Sequence, residues 1–395
     1  MRQTRVSNAE TTGCRITEVD TLGSSTEKTR VDVRRMWVKL GSAMILHLAG
    51  PGIFVSRLGY SGIVDYILIL SFSRWLASES VSRIVSRFPR LGPTIYQYSG
   101  LFLALVAIPA LIFPESLVAL YSIPVLIAMF VASHWLIHFG IQDARGDGTS
   151  VFQSSEVWAS FFSAVIVVSI TSAFSIEYAA ATGAMLSLII CFYPVDVTAE
   201  DFEGHLEIWR READRRARES IANGARLVRS IAAISFASLT LLRLHIFENP
   251  SNIERAIIDL GAILATAELI TFLLTKKISY DSEQYKRASL GLTIAGFIAM
   301  ASWNAGAWYV FFLGYLAVTV NSRSFLRTAD REFSRAALRG VGNLPGMREL
   351  TRYRAMGAIA VLVFVPSVLP AIGIISCLVL LFKTELSHPV EIGGA

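Results

Sequence analysis

The sequence predicts an all-α, polytopic membrane protein of about twelve transmembrane helices in two six-helix lobes. Three observations carry that prediction. Of 395 residues, 53% are apolar and 17% charged, where soluble domains carry about a quarter charged; mean hydropathy is +0.52. Apolar runs of membrane-crossing length recur along the chain. Lys and Arg gather in every second connection. A soluble enzyme, a disordered chain and a small disulfide scaffold are excluded.

The elements follow in order. The polar segment 1–35 reads as a cytoplasmic tail without the apolar core of a secretory signal, so the first apolar run serves as signal and anchor together. Spans are expected near 36–56, 61–82, 93–113, 116–138, 152–173 and 177–194, forming the N-lobe 36–194. A polar, amphipathic cytoplasmic connector follows at 195–226, with Phe202, Leu206, Trp209 and Ala213 at helical spacing. The C-lobe, 227–383, holds spans near 227–247, 254–275, 288–303, 305–321, 355–367 and 368–383, and 384–395 is a second cytoplasmic tail. The last pair is short. Two prolines in "PSVLP" separate it into two tilted helices rather than one kinked one.

Orientation follows from the 36 Lys+Arg. With the N-terminus inside, the inner connections hold Arg83, Arg87 and Arg90, then Arg145, the arginines of the connector, and those between spans 10 and 11. The outer connections hold only Arg57 and Arg255, while Arg74, Arg229 and Arg243 fall within helices. The asymmetry places both termini in the cytoplasm; the location expected for the chain is a bacterial inner membrane. The net charge of +5 thus marks topology and implies no nucleic acid.

Catalysis and cofactors find no support. Cys14, Cys191 and Cys377 lie far apart and form no metal or disulfide pattern. No GxSxG, P-loop or HExxH occurs, and the outer connections are too short for a catalytic domain. Glu115, Glu177 and Glu248 have no evident partner. The expectation is therefore a protein without enzyme activity, cofactor or metal.

An internal repeat is suggested by helices 2 and 8. Aligning Asp65 with Asp259 sets Arg74 opposite Glu268 and Arg83 opposite Lys277.

The stretch 53–90, with Arg57-Leu58-Gly59, Gly62, Tyr66 and Arg83 to Arg87, resembles the opening of Wzx-type polysaccharide flippases of the multidrug/oligosaccharidyl-lipid/polysaccharide exporter superfamily. Region 128–193 is similar to that family's fourth to sixth helices. The resemblance departs at Ser61-Gly62, followed by Ile63-Val64-Asp65. It implies two lobes in an inverted V, with helices 1, 2, 7 and 8 lining a central cavity. It also implies a lipid-linked or free glycan, or another anionic amphiphile, as cargo, and polysaccharide-assembly proteins as partners.

Ionisable residues inside spans cost at least about 2.5–3.5 kcal/mol each on insertion scales and normally face an aqueous path. They concentrate on helices 2, 7 and 8. Arg74 and Glu268 are the deepest and are expected to pair across a transport cavity in one state; a static ion pair is the alternative. Arg229 and Arg243, four turns apart on helix 7, would offer an anionic cargo a cationic face; the alternative is that one caps and the other snorkels. His47, Asp65 and Asp259 are candidates for coupling or gating, with capping open for both aspartates. Arg323, Arg327, Arg331, Arg335 and Arg339 form a stripe suited to anionic headgroups.

The expected function is a carrier moving a lipid-linked or free saccharide by alternating access. The alternatives are a major-facilitator-type carrier of a small solute and a non-transporting scaffold in envelope assembly. The loop "SRIVSRFPRLGPT" lacks the Asp of the Gly-x-x-x-Asp-Arg pattern typical of major facilitators, which counts against the second reading.

Overall fold

The structure, a computed structural model, describes residues 36–138, 152–192, 215–248, 253–277, 283–302, 308–338 and 347–384. Twelve helices and no strand occur among them. They are α1 (Met36–Leu58), α2 (Tyr60–Arg87), α3 (Leu91–Leu111), α4 (Leu117–Leu136), α5 (Phe152–Ala173) and α6 (Ile176–Phe192). The rest are α7 (Arg215–Ile246), α8 (Ile253–Lys277), α9 (Glu283–Ala301), α10 (Trp308–Leu338), α11 (Met347–Ile359) and α12 (Leu369–Thr384).

Among the described residues five stretches are long and apolar enough to cross a membrane by length and composition, and four shorter helices are also apolar. Large apolar side chains such as Val118, Phe192, Leu313 and Ile375 stand exposed on the outside of the bundle. Water would oppose that surface, and lipid accepts it.

Several helices begin or end beyond their apolar runs. Helix α7 has 32 residues, about 48 Å against about 30 Å of hydrocarbon. It takes in residues 215–226 of the expected connector; residues 195–214 and both tails lie outside the described residues. Helix α11 starts at Met347, well before the apolar run, because its first turns carry charge that packing neutralises. Glu349 is only 2% exposed and meets Arg348 at 3.2 Å and Arg352 at 3.5 Å. A 3₁₀ segment, Ala360–Phe364, and Pro366 then separate α11 from α12, so the last pair is two helices.

The packing repeats six helices on. In the first half α1 packs on α6, α2 on α4, and α3 on both α4 and α6. In the second half α7 packs on α12, α8 on α10, and α9 on both α10 and α12. The halves meet along two seams, α2 against α11 and α5 against α8. The same six-helix shift exchanges these seams. Each is tight at a glycine: a Cβ on Gly357 would stand 2.7 Å from the Cβ of Trp75, and one on Gly261 would stand 2.6 Å from that of Ala164.

Helices α1 and α7 are the most enclosed of the long apolar spans, with 83% and 72% of their apolar windows buried. Helix α8 has only 28% buried; it seals the seam with α5, touches α10 and α1 less extensively, and leaves its remaining surface outward. Of the helices 1, 2, 7 and 8 expected to line a cavity, α8 packs chiefly on α5 and α10. Helix α8 is a seam helix, and α11 takes the place beside α2.

Candidate functional site: a buried arginine between the halves

Helix α1 carries an irregularity at its centre. Met44–Ala49 is π-helical, and the Gly50 N–H donates to the Ile45 carbonyl, five residues back. The next residue in that pattern, Pro51, has no N–H to give to Leu46. The Leu46 carbonyl is filled from two other helices instead. Tyr66 Oη of α2 donates at 2.9 Å and Arg243 Nη2 of α7 at 3.1 Å. Arg243 also meets His47 Nδ1 at 3.0 Å and lies 5.9 Å from the Tyr66 ring centre. The second half of the molecule thus grips the first at the bulge of α1.

Arg243 is 4% exposed, and its Nε has no hydrogen-bond partner. Among the described residues no carboxylate lies within ion-pair distance of it. The ionisable groups acting on it are Tyr66, Arg74 and Tyr315. Arg74, on α2, has a buried Nε without a partner as well. Tyr66 feels both guanidiniums. The groups acting most strongly on Arg74 are Tyr353, Tyr66, Arg352 and Glu349.

Charged pairs mark both ends of the bundle. At the end where α2 finishes and α11 begins, Glu79 takes both Nε and Nη2 of Arg354 across the halves, the latter at 2.9 Å. At the opposite end Arg57 bridges Glu115 at 2.8 Å and Glu177 at 3.1 Å, all within the first half.

The remaining expected site residues are placed as follows. Glu268 is half-buried on α8, whose main neighbours are α5 and α10, so it does not meet Arg74 in this conformation. Arg229 is exposed, so it shares no buried face with Arg243. Asp65 accepts a hydrogen bond from Tyr121 Oη at 2.8 Å within the first half. Asp259 is exposed beside Arg255 at 3.9 Å. The side chains of Arg323, Arg327, Arg331 and Arg335, and all of Arg339, lie outside the described residues. Tyr66, Tyr353, Glu349 and Arg354 were not singled out as site residues. Arg243 and His47 were legible as ionisable residues inside apolar spans, and Gly50-Pro51 is the sequence signal for the bulge that joins them.

No family model matches the chain, and no curated protein matches it. Solved structures do. A POT family transporter in complex with a thioalcohol-conjugated peptide superposes with TM-score 0.61 at 13% identity, over 91% of this chain and 97% of that one. A peptide transporter POT in complex with sulfate gives 0.59 at 14%, over 90% and 94%. The nucleoside transporter NupG gives 0.58 at 13%, over 91% and 99%. The chain shares the fold of these transporters.

The flippase resemblance is thereby corrected. Its residues form a helical hairpin here, and the solved structures that superpose on the chain are peptide and nucleoside transporters. Gly59, at φ 68°, makes the turn between α1 and α2, and Arg57 is held by its two glutamates. The missing Gly-x-x-x-Asp-Arg loop does not count against a major-facilitator fold either. Here α2 stays helical to Arg87, and α3 starts at Leu91.

Proposed function

We propose that this chain is a membrane carrier of a small solute that works by alternating access. The observation that carries the reading is the grip of Arg243, in the second half, on Leu46 and His47, in the first. It sets a buried polar site between two repeated six-helix units. In a carrier of this architecture, solute binds between the halves, and rocking about the seams opens first one end and then the other. The likeness to transporters of peptides and nucleosides supports a small cargo in place of a lipid-linked glycan.

The arginine asymmetry puts both termini and the Glu79–Arg354 end on the cytoplasmic side of the plasma membrane. The Arg57 end then faces outward. The stripe from Arg323 to Arg339 would lie at the inner headgroups.

The test is accessibility from both sides. A single cysteine replaces Ala49, beside the Leu46 bulge, in a chain whose Cys14, Cys191 and Cys377 have been substituted. A membrane-impermeant thiol reagent is applied to right-side-out and to inverted vesicles. A carrier gives labelling from either side. Labelling from neither side would favour a static scaffold.

A further inference from the structure

Resting on the carrier reading, we propose that Arg243 and Arg74 together bind an oxyanion, the carboxylate or phosphate group of a small organic solute. The argument starts from charge. A guanidinium stays protonated wherever it is placed and has five N–H donors. Arg243 spends Nη2 on a carbonyl and an imidazole, both neutral acceptors, and leaves Nε empty. Arg74 leaves Nε empty and makes no hydrogen bond or ion pair among the described residues.

Among the described residues the carboxylate acting on Arg74 is Glu349, which is already shared between Arg348 and Arg352. The surroundings therefore hold an excess of positive charge that no group among the described residues cancels. A buried Arg243 and a half-buried Arg74 whose Nε is enclosed destabilise the empty site. A static role would be served equally well by apolar side chains of similar volume. An oxyanion supplies the missing charge and accepts from both guanidiniums, with bonds about twice as strong as neutral ones.

Geometry then assigns the other parts. Tyr66, within electrostatic reach of both arginines, donates to Leu46 and holds the bulge of α1 in place. Leu46 and His47 are stand-in acceptors for Arg243 while the site is empty. An arriving anion competes with them for Arg243, which couples binding to the grip between the halves.

The experiment uses the purified full-length chain with succinate, benzoate and inorganic phosphate as probes. Succinamide and benzamide are the neutral counterparts. Thermal shift in detergent and uptake of labelled probe into proteoliposomes are both read. At least one anion should stabilise the protein and enter the vesicles where its amide does not. Success with phosphate alone would identify the phosphate source, and success with a carboxylate the other. Arg243→Gln and Arg74→Gln should each weaken the effect about ten- to hundredfold, the loss expected for a hydrogen bond to a charged group. Arg243→Lys, which keeps the charge, guards against misfolding and should retain part of it. Equal response to acids and amides, or anion binding untouched by either Gln variant, overturns the oxyanion site while leaving the carrier reading in place. Absence of any binding, together with no two-sided labelling at position 49, overturns both.

Discussion

Arg243 donates to the carbonyl of Leu46 at 3.1 Å, the position that Pro51 leaves without a backbone donor. A residue on the last turn of α7 and a defect in the middle of α1 thus complete one another across the two halves. A cation near a helix C-terminus also suits the dipole of α7.

The first prediction concerns the second donor to the same oxygen. Tyr66→Phe removes the 2.9 Å hydrogen bond to Leu46 and keeps the ring under Arg243. Because Arg243 still occupies the carbonyl, the loss in stability should be about 0.5–1.5 kcal/mol, the usual net value of one neutral bond. Thermal unfolding in detergent reads it. A loss several times larger would mean that Arg243 leaves the carbonyl as well.

Helix number was legible in the sequence because apolar runs of spanning length stand out whatever surrounds them. Sidedness could be argued from arginine placement for the same reason. The pairing of helices was not legible. Aligning Asp65 with Asp259 identified equivalent helices, α2 and α8. Equivalent helices in two related halves do not face one another unless they lie on the relating axis. Helix α2 meets α11 instead, so Arg74 finds Tyr353 and Glu349 rather than Glu268. The start of α11 was hidden because Arg348, Glu349, Arg352 and Arg354 read as loop until packing shows that Glu349 is buried. The flippase resemblance failed because it rested on a few residues that serve local structure here: Gly59 turns the chain, Arg57 pairs with Glu115 and Glu177, and Tyr66 binds Leu46.

The second prediction concerns the seams. A methyl on Gly357 would press on Trp75, and one on Gly261 on Ala164. Gly357→Ala and Gly261→Ala should each cost about 1–3 kcal/mol through overpacking and slow solute exchange more than folding. Trp75→Ala in the Gly357→Ala chain should recover part of that loss, because the two residues touch. A double-mutant cycle of thermal stability measures the coupling. Strict additivity would show that the seam relaxes elsewhere.

The third prediction concerns Arg57, which joins the end of α1 to Glu115 and to Glu177 at the start of α6. The carboxylate of Glu177 is the more enclosed, at 16% exposure against 88% for Glu115. Solvent screens an exposed pair. Glu177→Gln should therefore lower the melting temperature measurably, whereas Glu115→Gln should leave it where it is. Equal effects would mean that this end of the bundle is held by the three-residue network as a unit.

The last prediction follows from the ion pair that crosses the halves. Glu79 and Arg354 are 22% and 53% exposed, so the pair contributes less than about 1 kcal/mol to stability. That is little for folding but enough to shift a two-state equilibrium severalfold. Glu79→Gln should therefore open the α2–α11 end without unfolding the chain. A reporter cysteine at Ser78, fully buried on α2 beside Glu79, should then react faster with a thiol reagent applied from that end. The exchange Glu79→Arg with Arg354→Glu restores the attraction with its direction reversed and should return the rate toward that of the parent. Failure of the exchange to do so, with each single variant reactive, would assign the effect to local packing of α2 and not to a latch between the halves.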